Sequence, residues 1–177
     1  MTQPGDPTPE ERIARMIRVD HAGEYGAARI YAGQLAVLGR GEKGEVIRHM
    51  AAQEAAHLAD FSALVAARRV RPTALLPFWH LAGFALGAAT AVLGERAAMA
   101  CTVAVEEVID AHYTAQIEAL DGTEPALRET LEKFRAEEIE HRDIGLANGA
   151  EQAPGYRLLS AVIKAGCTVA IRLSERI

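Results

Sequence analysis

Six residues of this chain combine metal-binding side chains in a pattern that occurs twice: Glu24 followed by Glu54-x-x-His57, and Glu106 followed by Glu138-x-x-His141. Carboxylates and imidazoles suit divalent transition metals. A Glu from each of two helices, with Glu-x-x-His from each of two more, is the arrangement by which a four-helix bundle holds two metal ions. The charges balance, because four carboxylates neutralise two divalent cations while the histidines add neutral nitrogen donors. Within Glu-x-x-His the two side chains stand one turn apart, with Cβ atoms roughly 5–6 Å from each other. One helix therefore presents a carboxylate and an imidazole together.

The lone Glu lies 30 residues before its Glu-x-x-His in one half and 32 in the other, enough for a helix, a turn and a returning helix. Each half reads as an antiparallel helical hairpin. Ile17, Glu24, Tyr31 and Leu35 correspond to Met99, Glu106, Tyr113 and Ile117, at offsets of −7, +7 and +11 from the Glu. Those offsets keep side chains on one stripe of a helix turning about 100° per residue. Ile47 and Met50 precede Glu54 as Leu131 and Phe134 precede Glu138. All four carboxylates thus sit on apolar stripes that face a core, where an isolated charge is costly unless compensated. A single Glu-x-x-His would be weak evidence in so acidic a helical chain; the doubled pattern in register with apolar neighbours points to metal. Glu107, Glu137 and Glu140 fall off the stripes and are expected to be solvated, and His49 to be exposed. Tyr31 and Tyr113 share the ligand stripe and read as packing.

At 177 residues, half of them hydrophobic, the chain is long enough for one well-packed domain. A net charge of −5 leaves no basic patch and no reason to invoke nucleic acid. Cys101 and Cys167 lack a paired metal or redox spacing and read as reduced packing residues. No positively charged leader with an apolar run opens the chain, so nothing suggests secretion. Residues 1–8, Met1 to Asp6 above all, are expected to be loose, with a single all-α domain over 9–177. Thr8-Pro9-Glu10-Glu11 is a capping box that starts the first helix near Pro9, which ends at Gly39-Arg40-Gly41. The second hairpin turns at Asp121-Gly122-Thr123-Glu124-Pro125, Asn148-Gly149 closes the fourth bundle helix, and a further amphipathic helix follows Ala153-Pro154-Gly155.

Between the hairpins, Pro72 to Gly94 carries no charged residue. Its length would admit a membrane span, which needs about 20 apolar residues. Pro77 and His80 interrupt it, however, and a span would place the two hairpins on opposite sides of a bilayer, so they could not share a metal site. The expectation is a re-entrant or interfacial crossover segment that dips into one leaflet, with Phe78 and Trp79 near the headgroups. Burial against the bundle or in a dimer interface remains the alternative. The run Tyr156–Lys164 could share either role.

The blocks Arg18-Val19-Asp20-His21-Ala22-Gly23-Glu24-Tyr25-Gly26-Ala27, Gly83-Phe84-Ala85-Leu86-Gly87, Cys101-Thr102-Val103-Ala104-Val105-Glu106-Glu107, His112-Tyr113, Glu137-Glu138-Ile139-Glu140-His141 and Leu173-Ser174-Glu175-Arg176 resemble the demethoxyubiquinone hydroxylases of ubiquinone biosynthesis, from about Arg12 to the C-terminus. The resemblance implies a ferritin-like four-helix bundle carrying a di-iron carboxylate centre. It further implies a flavin-independent mono-oxygenase, peripheral to a membrane, that hydroxylates the quinone ring of a polyprenylated precursor with dioxygen. The family's ligands fall on Glu24, Glu54, His57, Glu106, Glu138 and His141. Asp20, His112 and Tyr113 match positions around the centre: Asp20 could hold an iron-bound His or be a solvated or capping residue, and His112 and Tyr113 could relay protons or electrons. Asp110 departs from the family's usual residue. Without the mitochondrial presequence of eukaryotic members, the chain is expected at the cytoplasmic face of a bacterial membrane. NADH, a separate reductase or the quinol itself could supply electrons, and the ligand types alone also admit manganese. A homo-oligomer or an accessory lipid-binding protein of the same biosynthesis could be a partner. An iron-storing ferroxidase and a non-enzymatic quinone- or lipid-binding scaffold are rival readings.

Overall fold

The computed structural model describes residues 7–120 and 122–177. The expected looseness of Met1 to Asp6 lies outside the described residues. Six α-helices and one short 3₁₀ turn account for the described architecture, and no strand occurs among the described residues. Their order is α1 (Pro9–Leu38), α2 (Gly44–Ala67), α3 (Leu76–Val92), α4 (Glu95–Leu120), α5 (Pro125–Ala147), a 3₁₀ turn (Ala150–Gln152) and α6 (Tyr156–Ser174).

Local chemistry sets the helix ends where the sequence indicated. The Glu11 amide donates to Thr8 Oγ1 at 3.2 Å while the Thr8 amide donates to Glu11 Oε2 at 2.8 Å. This reciprocal cap satisfies two of the amides that a helix start leaves unpaired. Gly149 (φ +83°) and Gly155 (φ +69°) bracket the turn into α6, in a left-handed conformation that side chains other than Gly rarely adopt.

α1 pairs with α2 and α4 with α5, giving the two hairpins of a four-helix bundle. The remaining helices are its covers, since α3 lies along α1 and α6 along α4. The charge-free crossover is therefore largely a helix laid on the bundle. Gly26 and Gly33 stand about 180–200° round α1 from Glu24 at 100° per residue, so α3 packs on the back of the helix whose front carries the carboxylate. That packing is backbone to backbone. A Cβ on Gly83 would stand 2.8 Å from the Gly26 carbonyl oxygen, and one on Gly87 would stand 2.8 Å from the Ile30 carbonyl carbon. A Cβ on Gly33 would in turn strike the backbone of Phe84 and Ala88. α3 and α6 meet at one end, where the Trp79 indole N–H donates to Ser174 Oγ at 3.0 Å and the Ala74 amide to the Ile177 carbonyl at 3.2 Å. Trp79 is thus a half-buried tie between the two covers. Phe78 is 59% and Leu81 70% exposed. No described helix is long and apolar enough to cross a membrane.

Two apolar clusters close the bundle at either end of its polar middle. Ile17, Phe61, Leu120, Leu127, Leu131 and Phe134 form one, and Ile47, Met50, Met99, Ala100 and Val103 the other. A helical Gly is about 1 kcal/mol less favourable than Ala, yet overpacking a tight contact costs about 1–3 kcal/mol. Gly87→Ala should therefore lower the thermal unfolding midpoint, whereas Gly26→Ala, whose Cβ would meet nothing within 4 Å, should hold or raise it. Calorimetry of the two variants checks the close approach of α3; a stabilised Gly87→Ala would contradict it.

Candidate metal centre

The front faces of four helices converge on a buried polar chamber. Glu24 comes from α1, Glu54 and His57 from α2, Glu106 from α4, and Glu138 and His141 from α5. None of the six is more than 3% exposed. Their donor atoms fall into two groups, Glu24/Glu54/His57/Glu138 and Glu54/Glu106/Glu138/His141, each lying within 4.8 Å of one another. Either group could hold a metal ion. Glu54 and Glu138 belong to both, while Glu24 with His57 and Glu106 with His141 belong to one each. His57 Nδ1 lies 3.1 Å from Glu138 Oε1 and 3.4 Å from Glu24 Oε2; His141 Nδ1 lies 3.1 Å from Glu138 Oε2 and 3.2 Å from Glu54 Oε1. Both imidazoles turn the same nitrogen inward.

The donors fit cations because they leave so much unsatisfied. Glu24 Oε2, both carboxylate oxygens of Glu54, and His57 Nδ1 are buried without a hydrogen-bond partner. Buried polar atoms are normally paired, so four orphans facing one space mark a place for a ligand that accepts their lone pairs. Proton occupancy is displaced in the same sense. Burial raises the Glu24 carboxyl pKa, and burial reinforced by the Glu138 charge raises Glu54 and Glu106 well above the usual carboxylate range. Burial would also raise Glu138, but the adjacent imidazoles of His141 and His57 hold it down at about 2. Burial alone would lower His57; the adjacent Glu138 and Glu24 carboxylates outweigh it and push it up to about 10.

The surrounding side chains cross from one hairpin to the other. Tyr31 Oη of the first hairpin donates to Glu106 Oε1 of the second at 2.9 Å, and Tyr113 Oη of the second donates to Glu24 Oε1 of the first. Burial and the adjacent carboxylates hold both phenols protonated. Tyr31 and Tyr113 are thus hydrogen-bond donors to the site as well as packing residues. The outer nitrogens of the imidazoles follow the same rule: His57 Nε2 lies 2.5 Å from Glu137 Oε2, and His141 Nε2 lies 3.0 Å from Gln53 Oε1. Glu137, expected to be solvated, is 26% exposed and touches His57. Gln53 carried no expectation; both residues immediately precede a Glu-x-x-His, and that shared position was the available signal. Phe134 stacks on His57 with ring centroids 4.0 Å apart, closing the chamber on that side.

Asp20 does not reach either inward-facing histidine. Its Oδ1 accepts from Gln116 Nε2 at 2.8 Å and lies 3.3 Å from His112 Nε2. One turn before Glu24, Asp20 faces α4, whereas His57 and His141 rise from α2 and α5. Asp20 and His112 form a separate polar group beside Tyr113. Glu107 is half-buried and pairs with Lys164 of α6, and His49 and Glu140 are exposed as expected.

With this geometry, sequence comparison decides the lineage. Residues 11–174 match the family described as Ubiquinone biosynthesis protein COQ7. The chain belongs to this family. It is 61% identical over 175 residues to a 3-demethoxyubiquinol 3-hydroxylase of Rhodospirillum rubrum, covering 98% of this chain and 82% of the relative. It is 57% identical over 169 residues to the NADPH-dependent 3-demethoxyubiquinone 3-hydroxylase, mitochondrial, of Homo sapiens (93% and 78% covered). The 5-demethoxyubiquinone hydroxylase, mitochondrial, of Saccharomyces cerevisiae is 42% identical over 182 residues (93% and 78% covered).

Glu54 and Glu106, raised above 4.5, and His57, raised from 6.5 to about 10, hold more protons in the folded metal-free chain than in the unfolded one. Their contribution to stability is complete below the unfolded values and is lost as pH rises through the folded ones. The lowered Glu138 acts only in acid, outside the window from pH 6.5 to 10. The unfolding midpoint of metal-free protein should therefore fall as pH rises from 6.5, and divalent metal should release protons on binding. Titration calorimetry in buffers of different ionisation heat measures that release; a heat independent of buffer would contradict the proton-loaded chamber.

Proposed function

We propose that this chain is a hydroxylase that uses two iron ions held by Glu24, Glu54, His57, Glu106, Glu138 and His141 to add one oxygen of dioxygen to the ring of a polyprenylated demethoxyubiquinol. The other oxygen leaves as water, with two electrons and two protons supplied. The observation that carries this reading is the convergence of six buried donors, four of their atoms unpartnered, in a chain whose relatives are named as hydroxylases of that substrate class.

Bound iron would supply the two-electron chemistry with dioxygen that side chains lack. The chain's own residues do the rest. Glu54 and Glu138, common to both donor groups, are placed to be shared, while Glu24 with His57 and Glu106 with His141 would each serve one ion. Tyr113 and Tyr31 hold one oxygen of Glu24 and of Glu106, leaving the other oxygen of each as donor. Phe134 and the two flanking clusters would keep bulk water from the donor chamber. The NADPH-dependent human relative supports a nicotinamide donor, NADH or NADPH, as the electron source.

The substrate's tail stays in lipid, so the enzyme must come to a membrane. Phe78, Leu81 and Val92 on α3 and Leu158, Val162 and Val169 on α6 are all more than half exposed, and each would contribute about 1.5–3 kcal/mol on full transfer to an apolar phase. These faces support peripheral docking, on the cytoplasmic face of a bacterial membrane in keeping with the Rhodospirillum rubrum relative. A storage ferroxidase would have no use for them.

Iron-loaded protein given a short-tail demethoxyubiquinol, dioxygen and reductant should yield a product heavier by one oxygen. Glu138→Gln should lose one metal per chain and more than about 100-fold of turnover; full turnover with two irons in that variant would contradict the ligand assignment. Leu81→Asp with Val162→Asp should abolish co-flotation with phosphatidylcholine and phosphatidylglycerol vesicles while metal binding persists. Unchanged flotation would overturn the docking faces.

A further inference from the structure

The six donors of the centre match in type between the two halves, but the groups behind the imidazoles do not. His57 Nε2 faces the Glu137 carboxylate at 2.5 Å, whereas His141 Nε2 faces the Gln53 amide oxygen at 3.0 Å. Once Nδ1 faces a metal, Nε2 carries the ring proton and donates it outward. An anionic acceptor takes that proton more strongly than a neutral amide and shortens the hydrogen bond. It also makes the inward nitrogen the better electron donor. The ring neighbours differ as well: Phe134 stacks on His57 at 4.0 Å and 26°, while Tyr31 meets His141 edge-on at 6.0 Å and 71°. Both outer pairs are part-buried, so the difference between them is chiefly one of charge.

We infer that Glu137 and Gln53 are positioning residues that make the two cation positions unequal, so that the position formed by Glu24 and His57 fills first. The inference rests on the two-metal reading of the site. It also gives each hairpin a hold on the other's histidine, since Glu137 lies on α5 while His57 belongs to α2, and Gln53 lies on α2 while His141 belongs to α5. Carboxylates behind a metal-bound imidazole change metal affinity by about 10–100-fold, so the first Mn²⁺ should bind at least about tenfold tighter than the second.

The test is substoichiometric loading of the full chain with Mn²⁺. At one equivalent, the electron paramagnetic resonance spectrum of the wild type should show isolated Mn²⁺, and anomalous scattering should place it between Glu24 and His57. Glu137→Gln should bring the two stepwise constants within about threefold of each other, with coupled pairs forming already at one equivalent. Gln53→Glu, which leaves Glu137 intact, should do the same from the other side. The exchanged variant carrying both Glu137→Gln and Gln53→Glu keeps the net charge and should move the first ion to Glu106 and His141, a reversal that no loss of folding stability could produce. A first ion beside His141 in the wild type, or one that stays beside His57 in the exchanged variant, overturns the inference. Failure to bind two Mn²⁺ at excess metal would instead remove the two-metal reading, and this inference with it.

Discussion

Four carboxyl groups are buried at the centre of an otherwise apolar bundle, and their mutual repulsion is the constraint to which the other parts answer. Burial drives Glu54 and Glu106 toward their neutral forms, and protons or cations are the two ways to relieve the charge. The chamber is built for cations: Tyr31, Tyr113, Gln53 and Glu137 take up the outer atoms of the donors, while Glu54 and His57 Nδ1 are left bare inside. A chain seeking stability alone would have placed leucines there.

Duplication explains how so many polar groups are held by so few elements. Each half consists of a hairpin and a cover, α1–α2 with α3 and α4–α5 with α6. Every support crosses between halves, Tyr31 to Glu106, Tyr113 to Glu24, Glu137 to His57 and Gln53 to His141. Neither hairpin can organise its own donors. The covers lie on the backs of α1 and α4, which leaves the fronts free to meet and turns the apolar faces of α3 and α6 outward. Chemistry inside and an apolar exterior are thus consequences of one packing scheme.

Much of this was legible in the sequence because it is local. The stripe of Ile17, Glu24 and Tyr31 follows from helical periodicity, and so do the capping box at Thr8 and the breaks at Gly39, Pro125 and Gly155. The six donors were readable because their types and spacing recur. What escaped is contact between helices distant in the chain. Glu137 stands about 100° from Glu138 on its own helix and so looks solvated, but that direction is filled by His57 of the other hairpin. Tyr31 reads as packing until its hydroxyl meets Glu106. The charge-free run around α3 was plain, but its course along α1 depends on Gly33, Gly83 and Gly87 letting the two backbones meet, a pairing that no single window of sequence contains. Trp79 illustrates the same limit, since Ser174 lies 95 residues away.

The central claim is that six inward-facing donors form one centre for a pair of metal ions. Crystals of the protein loaded anaerobically with ferrous iron, measured on both sides of the iron absorption edge, test it most directly. Two iron peaks per chain should appear, Glu54 and Glu138 touching both, Glu24 and His57 one, Glu106 and His141 the other. A chamber without iron, or a lone ion with Glu54 or Glu106 turned away from it, would contradict the account.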